Sequence, residues 1–193
     1  MSKKIKYFYI NVDKDIEKNN HMKEQLNIYG IQCERVAAKL ESTILERSMS
    51  CRDTHLSIIE KIKDDEIFII FEDDVIIEQN LFEQMINKLS DKQWCMLNFG
   101  IPTRGVNGYD VEPCFKRGLK TIGLPGVNTG SWAIAINGKQ AHKILSLFEN
   151  KSNSGPHWDV QLKENLDKIN YYWCHPKIVT HGNYKFKSTR IYG

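Results

Sequence analysis

An α/β sandwich with a largely parallel sheet is the fold class this sequence predicts, and three observations predict it. Short apolar runs alternate with segments of helical period. The strongest run, Ile67 to Phe71, is apolar at every position, and it ends abruptly in three consecutive carboxylates, Glu72, Asp73 and Asp74. Alternating strands and helices favour parallel strands joined by crossovers, and an unbroken apolar run fits a central strand covered on both faces. In open sheets of this kind ligands collect beyond the carboxyl ends of the strands.

Taken in order, Tyr7 to Val12 is aromatic and β-branched and predicts the first strand. Met22, Leu26 and Tyr29 then recur at helical spacing before Gly30, a helix stop. Gln32 to Ala37 predicts a second strand, and Leu56, Ile58, Ile59 and Ile62 a helix. After the central strand, Asn80 with Glu83 reads as a capping box ahead of the apolar stripe Leu81, Phe82, Met85, Ile86 and Leu89. Trp94 to Phe99 predicts a strand. Gly100 to Asn128, rich in Gly, Pro and polar residues, is too long for an ordinary connection and reads as a substrate loop or lid. Gly130 to Ile136 predicts a strand, Gln140 to Phe148 and Val160 to Ile169 two helices, and Tyr171 to Cys174 a last strand before His175 and Pro176.

Of the 193 residues, 41% are hydrophobic and 26% charged, which supports one domain over residues 1–193 with a real core. The alternative expectation is one domain of a longer enzyme, since the chain stops at Gly193 just after a basic segment. A net charge of +3 is far from the concentrated basic surface of a duplex-binding protein, so nucleic acid is not the expected partner. The five cysteines are odd in number and lack C-x-x-C spacing, which speaks against a disulfide framework or a structural zinc site. No run is long and apolar enough for a signal segment or a membrane span, and the expected location is the cytoplasm.

Three carboxylates at the end of a buried strand are costly without compensation, and a hard oxygen-seeking cation, Mn²⁺ or Mg²⁺, is the usual remedy. Beside a diphosphate such a cation neutralises charge that develops as the leaving group departs. Continued extension would place Glu72 and Asp74 on one face and Asp73 on the other. A solvated acidic turn with Asp74 as a cap is the competing reading.

Several segments, in order, carry a family resemblance. They are Tyr9-Ile10-Asn11-Val12-Asp13, Gly30-Ile31 with Glu34-Arg35-Val36-Ala37-Ala38, Ser50-Cys51-Arg52-Asp53-Thr54-His55-Leu56 and Phe71-Glu72-Asp73-Asp74-Val75. Asn128 to Ala133, Ala141 to Leu145 and His157-Trp158-Asp159 continue the series. Together they resemble the family 25 glycosyltransferases, the group of lipooligosaccharide galactosyltransferases and collagen galactosyltransferase domains. Ser50 and Thr54 depart from the Gly and Ser of that pattern, and the chain is short for the family.

The resemblance implies a GT-A-type three-layer sandwich with a mostly parallel central sheet, a single divalent cation, a nucleotide-sugar donor (a UDP-hexose carrying galactose or glucose), a glycan acceptor and inversion at the anomeric carbon. Inversion needs a carboxylate to take the acceptor's proton, and Asp159 is the candidate base; an ordinary helix-start role is its alternative. Glu72, Asp74 and a late His181 are the candidate metal ligands, ahead of His175 and His157. Ile10, Asn11, Asp13, Arg35, Arg52, His55, Asp73, Thr129 and Gly130 are the candidate nucleotide-sugar contacts, with packing or capping the alternative for His55 and Asp13. Lys185, Lys187 and Arg190 are candidates for the donor phosphates, and Trp132 and Trp158 for stacking on a sugar or for the core. Two other functions fit the acidic cluster: a metal-dependent phosphoesterase or nuclease, and a catalytically silent sugar-nucleotide-binding domain.

Overall fold

The computed structural model describes residues 3–100, 108–112, 115–118, 132–149 and 157–182. Its strands and helices are β1 (Lys4–Val12), α1 (Ile16–Ile28), β2 (Cys33–Ala38), α2 (Ile44–Ile59), β3 (Glu66–Glu72), β4 (Val75–Ile77), α3 (Phe82–Lys88), β5 (Met96–Asn98), β6 (Gly108–Glu112), β7 (Phe115–Gly118), β8 (Ala133–Asn137), α4 (Ala141–Glu149), α5 (Trp158–Glu164), β9 (Tyr171–Cys174) and β10 (Val179–His181). Eight strands form one sheet in the order β2-β1-β3-β8-β5-β9-β7-β6, and β4 and β10 form a separate two-stranded ribbon. β2, β1 and β3 are mutually parallel, β8 reverses between β3 and β5, and β9 again runs parallel to β5. β7 reverses once more and β6 returns, so β8 and β7 alone oppose the shared direction within this sheet.

Period-two alternation along the buried strands builds the three layers. Tyr9, Ile67, Ile69, Phe71, Leu97 and Ala135 face one core with Met22 and Leu26 of α1 and Phe82, Met85 and Ile86 of α3. Phe8, Ile10, Phe68, Ile70, Met96 and Ile136 face a second core with Ile58 and Ile59 of α2, Ile144 and Leu147 of α4, and Trp158 and Leu162 of α5. Ile67 to Phe71 of β3 is therefore apolar at every position because both faces are covered. At roughly 25 cal/mol per Å² of apolar area, burying side chains of this size contributes about 2 kcal/mol each.

Local chemistry sets the helix ends. Asp15 caps α1 by accepting from the Lys18 backbone N–H. At the other end Gly30, at φ 64°, provides the left-handed turn, with Gly30 N–H donating to Asn27 C=O and Ile31 N–H to Leu26 C=O. The turn aims the chain straight into β2.

Four expectations are corrected. Asn80 and Glu83 make no capping box: Leu81 is the N-cap of α3 and its side chain makes no capping hydrogen bond. Glu83 instead accepts from Tyr7 Oη, and Asn80 donates to Tyr29 C=O. The reciprocal capping box is Thr43 with Glu46, so α2 starts well before the apolar stripe that announced it. The helix expected from Val160 to Ile169 ends at Glu164 and continues as a 3₁₀ turn, Leu166–Lys168. Within the expected lid, β6 and β7 form a hairpin that extends the sheet past β9. Residues 101–107, 113–114 and 119–128 of that segment lie outside the described residues.

Gly138, where β8 turns toward α4, admits no side chain: a Cβ would stand 1.8 Å from the Lys63 carbonyl oxygen and 2.9 Å from that of Glu66. Both obstacles are backbone. Gly138→Ala is expected to destabilise the protein by about 2 kcal/mol or more, read as a lowered midpoint in thermal or urea unfolding.

Candidate functional site

β3 carries its apolar register as far as Phe71 and releases Glu72 at the carboxyl edge of the sheet. Asp73 and Asp74 form the turn into β4. This turn, rather than continued extension, separates the carboxylates. Asp73 points toward α1 and β1, whereas Glu72 and Asp74 meet His181, with one ligand atom from each of the three lying within 4.8 Å of the others.

His181 arrives through the ribbon. β10 pairs antiparallel with β4, setting His181 opposite Val75, and Gly182 N–H donates to Asp74 C=O at 2.7 Å. The imidazole Nε2 stands 3.3 Å from Asp74 Oδ1. Trp132 packs edge-on against the ring, 5.0 Å between centroids, and its carbonyl accepts from Glu72 N–H. Trp132 therefore borders this cluster.

A second network runs along the ends of β1 and β2. Asn11, 1% exposed, donates to Asp73 Oδ2 at 2.8 Å and accepts from Arg35 Nε at 3.1 Å. Arg35 also reaches Asp13 at 2.6 Å. Because Asp15 caps α1, Asp13 is left to this pair. Ile10 sits beside both elements, paired with Val36 on β2 and Glu72 on β3, its side chain in the second core. Burial pushes the Asp73 carboxyl up to about 6, against the pull of the Lys18 ammonium, with Asp74 adding to the rise.

Lys18, His21 and Gln25 on α1 escaped the sequence reading. Lys18 Nζ stands 3.1 Å from Asp74 Oδ2 and 3.3 Å from Asp73 Oδ1. Gln25 accepts from Ile77 N–H at 2.8 Å and donates to Val75 C=O at 2.7 Å, so its amide acts as a neighbouring strand for β4. His21 Nε2 lies 3.0 Å from the same Val75 carbonyl. Their signal was the spacing of three polar residues on the helix face that also carries Met22, a face the apolar stripe assigns to the core.

The other candidates fall elsewhere. Asp159 lies in the first turn of α5, buried, and its charge is felt by Tyr171, whose hydroxyl accepts from Asn98 Nδ2 at the carboxyl end of β5. His55 is 0% exposed and stacks on Trp158 at 4.7 Å. Its Nδ1 lies 2.9 Å from the Cys51 carbonyl. His55 and Trp158 thus join α2 to α5. Arg52 pairs with its neighbour Asp53 on α2. Thr129, Gly130, Lys185, Lys187 and Arg190 lie outside the described residues.

The donor set fits a divalent cation. Two carboxylates and an imidazole converge, Asp74 Oδ1 is buried and accepts no hydrogen bond among the described residues, and oxygen with nitrogen ligation suits Mn²⁺. Glu72, Asp73 and Asp74 bring three carboxylates to this turn, with Lys18 Nζ within 3.3 Å of Asp73 and Asp74.

No protein-family model and no curated protein matches the chain. Solved structures do match. A glycosyltransferase involved in the glycosylation of the major capsid of PBCV-1 superposes with a TM-score of 0.56 at 14% identity, covering 96% of each chain. Drosophila β-1,4-galactosyltransferase 7, a mutant in complex with manganese, UDP-Gal and xylobiose, gives 0.50 at 10% identity over 92% of this chain and 70% of its own. The chain has the GT-A fold. Among the described residues no helix is long and apolar enough to cross a membrane.

The clamp on β4 is open to test. Gln25→Leu strands the buried Ile77 N–H and leaves the Val75 C=O with His21, and is expected to cost about 2 kcal/mol in urea unfolding. Gln25→Glu, which keeps the acceptor for Ile77 N–H but loses the donor to Val75, is expected to be destabilising as well.

Proposed function

We propose that this chain is a metal-dependent inverting glycosyltransferase of the family 25 type. It moves galactose or glucose from a UDP-sugar to a hydroxyl of a glycan acceptor, as a single domain working in the cytoplasm. The observation that carries the reading is the convergence of Glu72, Asp74 and His181 at the carboxyl edge of a GT-A sheet.

Glu72, Asp74 and His181 would hold a divalent cation, which would supply positive charge to the donor diphosphate. Around it, Asn11, Asp13, Arg35 and Asp73 form the linked polar floor on which the nucleoside rests, with Ile10 beneath. Arg52 and His55 support that side through α2, and Thr129 and Gly130, outside the described residues, are the proposed contacts for the donor sugar. Asp159 takes the proton of the acceptor hydroxyl as its oxygen bonds to the anomeric carbon from the face opposite the departing diphosphate. The bond between that carbon and the phosphate oxygen breaks, and UDP leaves with the electron pair.

Two variants separate binding from chemistry. Asp74→Ala is expected to abolish Mn²⁺-dependent binding of UDP-galactose and UDP-glucose in titration calorimetry. Asp159→Asn is expected to bind donor as the wild type does while losing transfer by about 100-fold or more, measured as UDP released in the presence of acceptor glycans. Wild-type activity in both variants sinks the mechanism, and hydrolysis of simple phosphodiesters in place of transfer turns the reading toward a phosphoesterase.

A further inference from the structure

A lysine stem ordinarily carries its ammonium out to water. Lys18 does the reverse, its side chain 4% exposed and its Nζ set between Asp73 and Asp74. Asp15, the cap of the same helix, lies 3.9 Å from it. Burial opposes the charge on Lys18, yet Asp74 and Asp73 outweigh that opposition and hold the ammonium more firmly protonated than an ordinary lysine. Asp74 is thereby divided: Oδ2 takes Lys18 at 3.1 Å, and Oδ1 faces His181 in the metal-ligand cluster.

From this division the geometry points to Lys18 as a built-in counter-ion and positioning residue, which holds Asp73 and Asp74 in place when no metal is bound and opposes a divalent cation for the charge of Asp74. The opposition rests on the metal reading above, whereas the counter-ion role does not. Without Lys18, the adjacent carboxylates of Asp73 and Asp74 at the end of a buried strand lose the ammonium set between them, which strongly disfavours the folded state. The compact ammonium, with three donors, suits two separate carboxylates better than a planar guanidinium does. With Lys18 present, a metal on Asp74 Oδ1 shares its carboxylate with a fixed positive charge. The ion is then held weakly until an anionic diphosphate adds charge of its own, so metal and donor bind cooperatively.

The test compares wild type, Lys18→Met and Lys18→Met with Asp73→Asn, measuring the melting temperature in EDTA and Mn²⁺ affinity without nucleotide by electron paramagnetic resonance. Lys18→Met is expected to melt about 6 °C or more below wild type in EDTA. It is also expected to bind Mn²⁺ about tenfold or more tightly, because one unit of opposing charge is gone. The added Asp73→Asn is expected to recover much of the lost melting temperature, which a role in packing alone would not permit. An unchanged melting temperature in EDTA overturns the counter-ion role, and unchanged or weakened Mn²⁺ binding overturns the opposition. If Lys18→Met does not fold in EDTA, recovery of folding by Asp73→Asn supports the proposal and continued unfolding overturns it. If wild type binds no Mn²⁺, the metal reading fails, and the melts in EDTA still decide the counter-ion role.

Discussion

Three negative charges in succession leave the end of a strand whose preceding residues are buried on both faces, and much of the structure around them answers that one electrostatic problem. Lys18 supplies a cation from α1, Asn11 donates to Asp73 from β1, and β10 brings His181 against Asp74. Each partner is itself held. Asp15 fixes the start of α1, Arg35 grips Asn11, and the ribbon of β4 and β10 is gripped from the other side by Gln25. Burial of β3 in two cores makes its end rigid, and that rigidity gives each carboxylate a fixed neighbour.

The turn at Asp73 and Asp74 divides the cluster into two chemistries. Glu72 and Asp74 go to the imidazole, where hard and borderline donors meet. Asp73 goes to a polar chain that crosses the ends of three adjacent parallel strands, from β3 through Asn11 on β1 to Arg35 on β2. Both stand at the carboxyl edge of the sheet, where open sheets of this kind collect ligands. The second core ties Asp159 to the same edge: the charge on Asp159 is felt by Tyr171, whose hydroxyl meets Asn98 at the end of β5.

The elements that sequence made legible are those whose signal is local and repeated. The unbroken run Ile67 to Phe71 marked the central strand, Gly30 marked the end of α1, and the carboxylates after Phe71 pointed to the candidate site. His181 was placed with the acidic residues through family resemblance, and the structure brings their ligand atoms together. The start of α2 was missed because its first turns carry exposed Ile44 and Leu45 with no stripe, leaving the Thr43 and Glu46 box as the only signal. The Asn80 and Glu83 pair had the right spacing and the wrong geometry, since both side chains are taken by partners distant in sequence. Lys18 and Gln25 were hidden for the same reason. Their partners lie about fifty residues away, and a polar residue on a core-facing helix stripe declares its purpose only once the strand it meets is known.

The central claim is that Glu72, Asp74 and His181 hold a cation against a nucleotide diphosphate, and crystals grown with Mn²⁺ and UDP test it most directly. Anomalous scattering at the manganese edge is expected to give one peak within bonding distance of Asp74 Oδ1 and the His181 imidazole, with the UDP phosphates completing its coordination. UDP bound with no manganese at these residues, or manganese bound elsewhere on the chain, would contradict it.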